Sequence, residues 1–481
     1  MSNPSHQSMQ DAPPSSEQGN DPSVSARRGP GPGAWSLRMK LVVGMVLAGN
    51  LLLVSPSLMP AFSEINPDDE AKYIESGWLL LADGPRDLAW GPLVAVIYAP
   101  VHMLVGNSLD WFMLEAWAGR IELFVLLWLS MLFLALQFKD YAPPLVMAGI
   151  LFVTTAFFPI LENQSDALFV SLSALGLAKF ITYYRHRRLK DVGVASVCVG
   201  LGILSRVESV VLIGTLVILA TVYRRHSVTR VVASALLPAL GILVLFLGAS
   251  LLTHGNLNLG LGNKSYDSFE MNQPLPYGGD SEAARQETRR LFGTQEENNG
   301  SVLRAILRNP LAFGLRVLTN AKMVPFSYLD FFGKRLGPFL LFFAVWGVYT
   351  LIKQRAFSLL IIPLVWSSHV VVALGFFPRH IIPQMVYFPL LLGSIGMASA
   401  FDRKLRQGER TGLLLASTLF GVYSWIDQKP AFLFAFILIT AILLIVQLGW
   451  TLLESDGSLR QTSFITLVSG RLAPSRPVFI S

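Results

Sequence analysis

The stretch Asn66-Pro67-Asp68-Asp69-Glu70-Ala71-Lys72-Tyr73 places three consecutive carboxylates just after the first long apolar segment of the chain. Its asparagine is a favourable helix N-cap, its proline suits a first helical position, and acids in a first turn offset the helix dipole. A capped helix therefore explains these acids as well as catalysis does. The catalytic interpretation adds that Glu70, Tyr73 and Gly77 share one helix face at the lipid–water boundary. A carboxylate there can accept a hydroxyl proton or bind a divalent cation.

The composition is that of a membrane protein. Hydrophobic residues make up 52% of the 481 residues and charged residues only 14%, against roughly 25% charged in a soluble domain. The net charge is +7, but the basic residues are scattered between apolar runs. We therefore expect them to set membrane orientation, and we expect no nucleic-acid partner. The single cysteine, Cys198, cannot form an internal disulfide.

Three regions differ in composition. Residues 1–34 are rich in Pro, Ser, Gly, Gln and Asn, so they predict a disordered cytoplasmic tail. Residues 35–453 contain the apolar runs and predict one transmembrane domain with external loops at 61–116 and 254–336. Residues 454–481 predict a second cytoplasmic tail.

Apolar runs that meet or approach the roughly 17–25 residues of a bilayer-crossing helix predict an all-α polytopic membrane protein. Another apolar segment, 92–106, is shorter and holds two prolines and a histidine, so we interpret it as a juxtamembrane or re-entrant helix. The twelve predicted spans are 41–60, 117–138, 143–161, 167–184, 191–205, 207–222, 231–253, 337–352, 357–376, 381–400, 412–425 and 431–453.

Five clusters of Lys and Arg orient these spans, because such clusters beside short loops lie on the cytoplasmic side. All five fall on one side if each run crosses once and 92–106 does not, which places both termini inside. Runs 191–205 and 207–222 are short, and one long helix through both is the alternative. The clusters are at residues 27–40, 185–190, 224–230, 353–355 and 403–410.

Several polar sites that were not used to set this topology fall together on the external face. They are the acidic stretch, residues 162–166, residues 205–208, residues 377–380 and the 254–336 loop. A loop of that length in a compact protein is usually functional. Residues 255–280 predict irregular structure, whereas 281–293 and 300–323 predict helices with a break at Asn309-Pro310.

Two of these sites have a structural interpretation beside the functional one. Asp166, four residues after Glu162, is either a solvated helix-start acid or a second carboxylate for a metal or a sugar hydroxyl. Arg206 and Glu208 interrupt an apolar stretch, where ionisable groups are costly. They either pair with each other or a lipid headgroup, or they contact substrate.

Two further basic sites also have two interpretations. Arg379 and His380 either snorkel to the interface or bind the phosphate of a lipid substrate. Arg120 lies between Glu115 and Glu122 at the outer start of the second span, where an internal ion pair is the structural interpretation.

The order of these features resembles the GT-C superfamily of integral-membrane glycosyltransferases, in particular the branch of the protein mannosyltransferases and the lipid A aminoarabinose transferase. The resemblance covers roughly residues 41–400. Trp90 stands where the family often has a lysine that is a candidate lipid-phosphate contact, and Arg86 is its candidate substitute. The matching motifs are Asp69-Glu70 with Tyr73, Gly91-Pro92-Leu93, Ala118-Gly119-Arg120, Ser165-Asp166, Gly200-Leu201-Gly202 with Arg206-Val207-Glu208, and Arg379-His380-Ile381-Ile382-Pro383.

The resemblance implies an inverting transferase that moves a sugar from a polyprenyl-phosphate donor to a lipid, glycan or protein acceptor at the outer membrane face. Asp69 is the expected general base, with Glu70 and Asp166 supporting it, and Asp69 and Asp166 are candidate ligands of a divalent cation (Mg, Mn or Zn). The expected substrate-binding residues are Tyr73, Arg86, Arg120, Arg206, Glu208, Arg379 and His380.

The expected location is a bacterial inner membrane. Two other functions stay open at this point. One is a transporter of a lipid-linked or polar solute, which would place its ionisable groups near the bilayer midplane. The other is a membrane scaffold that keeps the fold but has lost activity.

Overall fold

A computed structural model describes most of the chain between residues 48 and 399, and both predicted tails lie outside the described residues. Every regular element in the described part is a helix, which confirms the all-α expectation there. The described ranges are 48–51, 58, 70–85, 91–105, 112–156, 163–255, 261–271, 273–274, 281–331, 333–369, 374–375 and 386–399.

Fifteen helices in these ranges are numbered here in chain order. A 3-10 turn, Val207–Ser209, separates α6 from α7, and a π-helical turn, Val386–Leu390, precedes α15. The helices are α1 Glu70–Ala82, α2 Pro92–Val105, α3 Phe112–Leu136, α4 Pro144–Ala156, α5 Gln164–His186, α6 Leu189–Ser205, α7 Val210–Val222, α8 Val228–His254, α9 Leu261–Met271, α10 Ser281–Phe292, α11 Val302–Arg308, α12 Pro310–Phe331, α13 Gly333–Lys353, α14 Phe357–Trp366 and α15 Leu391–Ser399.

Three of the described helices, α3, α5 and α8, are long and apolar enough to cross a membrane. They support an integral membrane protein. The other predicted spans correspond to shorter apolar segments or lie wholly or partly outside the described residues, so the number twelve stays a prediction. The 92–106 segment is helical as α2, with Pro92 at its first position.

The helices α5, α6 and α7 run up and down. Arg187, just after α5, donates to the carbonyl of Tyr223 at the end of α7, and His226 bonds the carbonyl of Arg187 at 2.8 Å. At the opposite end the hydroxyl of Ser205 donates to the carbonyl of Ser165 at 2.8 Å. Runs 191–205 and 207–222 are therefore two antiparallel helices, and the alternative of one long helix is wrong.

Glycines let α13 and α15 approach each other closely. An added Cβ on Gly347 of α13 would overlap the carbonyl of Leu392, and one on Gly396 of α15 would overlap the carbonyl of Phe343. The indole of Trp366 donates to Ser173 at 2.9 Å and ties the end of α14 to α5. Backbone contact at glycines is how helices pack tightly in lipid, where the hydrophobic effect does not drive association.

The predicted large loop has a small core of its own. Tyr266, Phe269, Phe292, Val302 and Ala305 are buried together, with neighbouring ring centroids 5.1–6.0 Å apart. The helices predicted at 281–293 and 300–323 are confirmed as α10 to α12, with the break at the predicted Asn-Pro pair. The irregular structure predicted for 255–280 is wrong for α9, which is helical because its aromatic residues pack against α10.

Candidate active site

The first helix after the acidic stretch presents one buried face. Glu70, Tyr73, Ile74 and Gly77 are all buried, and they recur at the three- and four-residue spacing of a helix. The predicted sharing of one face is therefore confirmed. The helix start proposed upstream of Glu70, including Asp69, lies outside the described residues.

Glu70 is the centre of a closed ionic cluster. Its two carboxylate oxygens accept hydrogen bonds from Nε and Nη2 of Arg120 at 2.7 and 2.5 Å, and the Gln164 amide donates to the first oxygen at 2.7 Å. The three residues are at most 1% exposed. A forked arginine–carboxylate pair is the geometry that best compensates buried charge. This cluster joins α1, α3 and α5.

The internal ion pair expected for Arg120 is therefore confirmed, but its partner is Glu70 of another helix, whereas Glu115 and Glu122 lie on its own helix. Glu115 instead accepts a hydrogen bond from the Trp78 indole at 2.6 Å and lies 3.2 Å from Nδ1 of His102. Trp78 and His102 stack with their ring centroids 5.1 Å apart. This second polar cluster joins α1, α2 and α3.

Glycines allow α1, α2 and α3 to meet around Tyr98. A Cβ on Gly77 would lie 2.6 Å from the Tyr98 Cβ, and one on Gly119 would overlap the tyrosine ring. Tyr98 is fully buried, and its hydroxyl has no partner among the described residues. Gly119 precedes Arg120, so this packing also fixes the position of the guanidinium.

A second ion pair lies two residues further along α5. The guanidinium of Arg206 donates to Oδ1 of Asp166, and the two side chains are 11% and 17% exposed. Arg206 thus has a partner on another helix, and its alternative pairing with Glu208 stays a prediction. The side chain of Glu208 lies outside the described residues. Asp166 does occupy the first turn of α5, as predicted.

Gly91 brings the start of α2 against the C-terminal end of α6. Its φ of 59° lies in the left-handed region, and an added Cβ would be 2.5 Å from the carbonyl of Ser205. Glycine is the residue that meets both requirements at low cost. The Gly-Pro-Leu motif thus has a structural purpose: it turns the chain against the end of α6 and starts the next helix with proline.

Of the two predicted metal ligands, Asp166 is the one that lies among the described residues. Its carboxylate accepts a hydrogen bond from the guanidinium of Arg206. The described residues hold no group of three or more His, Cys, Asp or Glu side chains that could bind a metal. Asp69, the other candidate ligand, lies outside them. The divalent-cation site at Asp69 and Asp166 therefore stays a prediction.

The structure thus brings five predicted site residues to one end of the helix bundle. The remaining predicted residues lie outside the description, and sequence reasoning missed three contributors that are now evident: Gln164, Glu115 and His102. Gln164 was within a recognised polar segment, but no local pattern indicated its partner 94 residues away. The residues brought to this end are Glu70, Tyr73, Arg120, Asp166 and Arg206, and those not described in side-chain detail are Asp69, Arg86, Glu208, Arg379 and His380.

The chain matches no protein-family model and no curated protein. It is structurally similar to the Archaeoglobus fulgidus oligosaccharyltransferase, whose crystal structure is of the apo form. The two are 15% identical with a TM-score of 0.44, over 83% of this chain and 56% of that one, so this chain spans little more than half the length of that protein.

Proposed function

We propose that this protein is a membrane-embedded inverting glycosyltransferase that uses a polyprenyl-phosphate sugar and an acceptor hydroxyl on a lipid, glycan or protein. The observation that carries the proposal is the convergence of the Glu70–Arg120–Gln164 cluster and the Asp166–Arg206 pair. Both lie at the end of α5 and α6 opposite Arg187 and Tyr223. Ionisable groups at the margin of apolar helices are costly and are usually kept for function.

The cluster changes the role proposed for Glu70. Its carboxylate is fully buried and bonded by three N–H groups, so it is a positioning residue and not the base. Arg120 is likewise a positioning residue, since its guanidinium bonds Glu70. Asp69 precedes this anchored residue directly in the chain. We therefore keep Asp69 as the general base.

In the proposed reaction the acceptor hydroxyl loses its proton to the Asp69 carboxylate as its oxygen attacks the anomeric carbon. The bond between that carbon and the phosphate oxygen breaks, and the electron pair leaves with the polyprenyl phosphate. Attack opposite the leaving group inverts the anomeric centre. A positioned carboxylate contributes about 100- to 10,000-fold to such a proton transfer.

The leaving phosphate needs donors that compensate its growing charge. Arg206 is assigned this role because its guanidinium is 11% exposed and is already oriented by Asp166. Arg379 and His380 are proposed to act with it, and Arg86 is proposed to replace the family's missing lysine. Glu208 and Tyr73 are proposed to contact the sugar, and the 254–336 loop to select the acceptor.

The position of the ion pairs disfavours the transporter alternative. A transporter places its ionisable site near the bilayer midplane. Here Gln164 and Asp166 lie in the first turn of α5, and Arg206 directly follows the last residue of α6. The scaffold alternative predicts the same fold without chemistry, so an activity measurement separates it from the transferase.

Mass spectrometry of surface glycolipids and glycoproteins in a deletion strain tests the proposal. We expect one sugar modification to disappear and to return with the wild-type gene and with Asp68→Ala. Asp69→Ala should reach the membrane at wild-type levels and leave the modification absent. An unchanged glycan profile in the deletion strain would contradict the transferase, and restoration by Asp69→Ala would remove the assigned base.

A further inference from the structure

A groove of about 720 Å³ lies between α10 and α12, outside the site described above. It is lined on one side by the exposed face of α10 and on the other by the middle of α12, with two residues that follow α9 at one end. Its lining includes Gln273, Gln286, Glu287, Arg290, Arg316 and Thr319.

Arg316 is the unusual member of this lining, because its side chain is buried in the wall with only 1% exposure. Its Nη2 donates to the carbonyl of Phe269 at 2.8 Å, and its Nη1 donates to the Gln273 side chain at 3.2 Å. The guanidinium lies 4.2 Å from the centre of the Phe269 ring. Its Nε has no acceptor among the described residues.

The neighbouring arginines differ from Arg316 in having carboxylate partners. Four of them in the same region each pair with a carboxylate, and Arg316 has none within ion-pair distance among the described residues. Burial lowers the pKa of Arg316 to about 9. The paired arginines are Arg285 with Asp267, Arg289 with Glu270, Arg290 with Glu287 and Arg308 with Glu297.

A buried charge without a counterion is costly, and such groups are normally paired. Within the groove Arg290 and Glu287 neutralise each other with contacts of 2.6 and 2.7 Å. This leaves Arg316 as the uncompensated positive charge of the groove lining. An arginine fork held in a fixed position matches the two oxygens of a carboxylate or a phosphate.

We propose that this groove binds a ligand through a carboxylate or phosphate group that pairs with Arg316. The Phe269 ring and the Gln273 amide hold the guanidinium in place before the ligand arrives. The volume admits a group of about the size of a monosaccharide or a small peptide segment, since ligand pockets usually measure about 300–1,000 Å³. This inference does not depend on the proposed sugar transfer.

Thermal unfolding of the purified full-length protein in detergent micelles tests the groove. The probes are glucuronate and inorganic phosphate, with glucose as the neutral control and chloride to hold the ionic strength constant. A ligand that binds only the folded state raises the unfolding midpoint. We expect at least one of the two anions to raise it and glucose to leave it unchanged. A shift with glucuronate alone identifies a carboxylate ligand, and a shift with phosphate alone identifies a phosphate ligand.

Three variants locate the effect. Arg316→Gln should abolish the shift, and Thr319→Trp should also abolish it by filling the groove while Arg316 is kept. Arg304→Gln is the matched control, because it removes an exposed positive charge of the same region outside the groove, and it should retain the shift. If Arg316→Gln fails to fold, Thr319→Trp decides the result. No shift in the wild type, an undiminished shift in Thr319→Trp, or equal loss in Arg304→Gln would overturn the proposal.

Discussion

Arg120 and Arg316 are both almost completely buried, and they differ in what compensates them. Arg120 meets both oxygens of Glu70 in a cluster that three helices close. Arg316 meets a backbone carbonyl, a neutral amide and an aromatic ring, and lines an open groove. The first arginine is already satisfied within the protein, whereas the second is prepared for an anion from outside.

The difference teaches how to assign buried charges in this chain. The sequence resemblance implies that Arg120 binds substrate, whereas its ion pair with Glu70 is the reason that we propose a positioning role for it. Arg316 lies in no recognised motif, but its missing partner makes it a candidate binding residue. The partner of an arginine is therefore more informative than its motif, and substitutions at the two sites should behave differently.

The largest stability effect is expected from Glu70→Gln. The substitution removes the carboxylate that both Nε and Nη2 of Arg120 bond, and breaking a buried ion pair costs about 3–5 kcal/mol. Unfolding in detergent should show this loss. The double variant Glu70→Gln with Arg120→Met should recover part of it, because no uncompensated charge then remains. No recovery in the double variant would mean that the charge pair is not the cause.

A smaller loss of stability is expected from Gly119→Ala, which tests the close packing of α2 against α3 beside Arg120. The new methyl group would overlap the ring of Tyr98, and overpacking of this kind costs about 1–3 kcal/mol. The matched control is Gly193→Ala in α6, where nothing lies within 4 Å of an added Cβ. The control should be neutral or slightly stabilising in the same unfolding assay, because alanine is the better helix former.

Asp166→Asn should lower the free energy of unfolding less than Glu70→Gln or Gly119→Ala does. Its ion pair with Arg206 is partly exposed, so water replaces part of the interaction and the expected loss is about 1 kcal/mol. If Arg206 stabilises the leaving phosphate, sugar transfer should fall much more than stability does. Transfer rate and unfolding midpoint measured on one preparation check this. A fall of both in proportion would make the pair merely structural.

Arg316→Met should have the smallest effect without ligand. The variant loses two hydrogen bonds and the ring contact, but it also removes an uncompensated buried charge. The two contributions offset, and stability should stay within about 1 kcal/mol of the wild type. A loss as large as that of Glu70→Gln would show that Arg316 is a structural residue, and the contrast with Arg120 would fail.

Much of this organisation could be predicted from the sequence, and the part that could not is informative. Apolar length and proline position predicted α2, α3, α5 and α8, and the asparagine–proline pair predicted the break before α12. Pairing across helices could not be predicted. Glu115 and Glu122 are near Arg120 in sequence, whereas Glu70 is 50 residues away, and no local pattern identifies that contact.

The central claim is that Glu70 is a positioning residue and that Asp69 is the general base. Sugar transfer by the purified protein tests this claim most directly. The protein is reconstituted into vesicles with a labelled polyprenyl-phosphate sugar and acceptor, and the rate is divided by the amount of folded protein. Asp69→Asn should keep the wild-type unfolding midpoint and lose at least about 100-fold in rate. Glu70→Gln should lower the midpoint, while its folded fraction retains measurable transfer. A wild-type rate in Asp69→Asn would contradict the account.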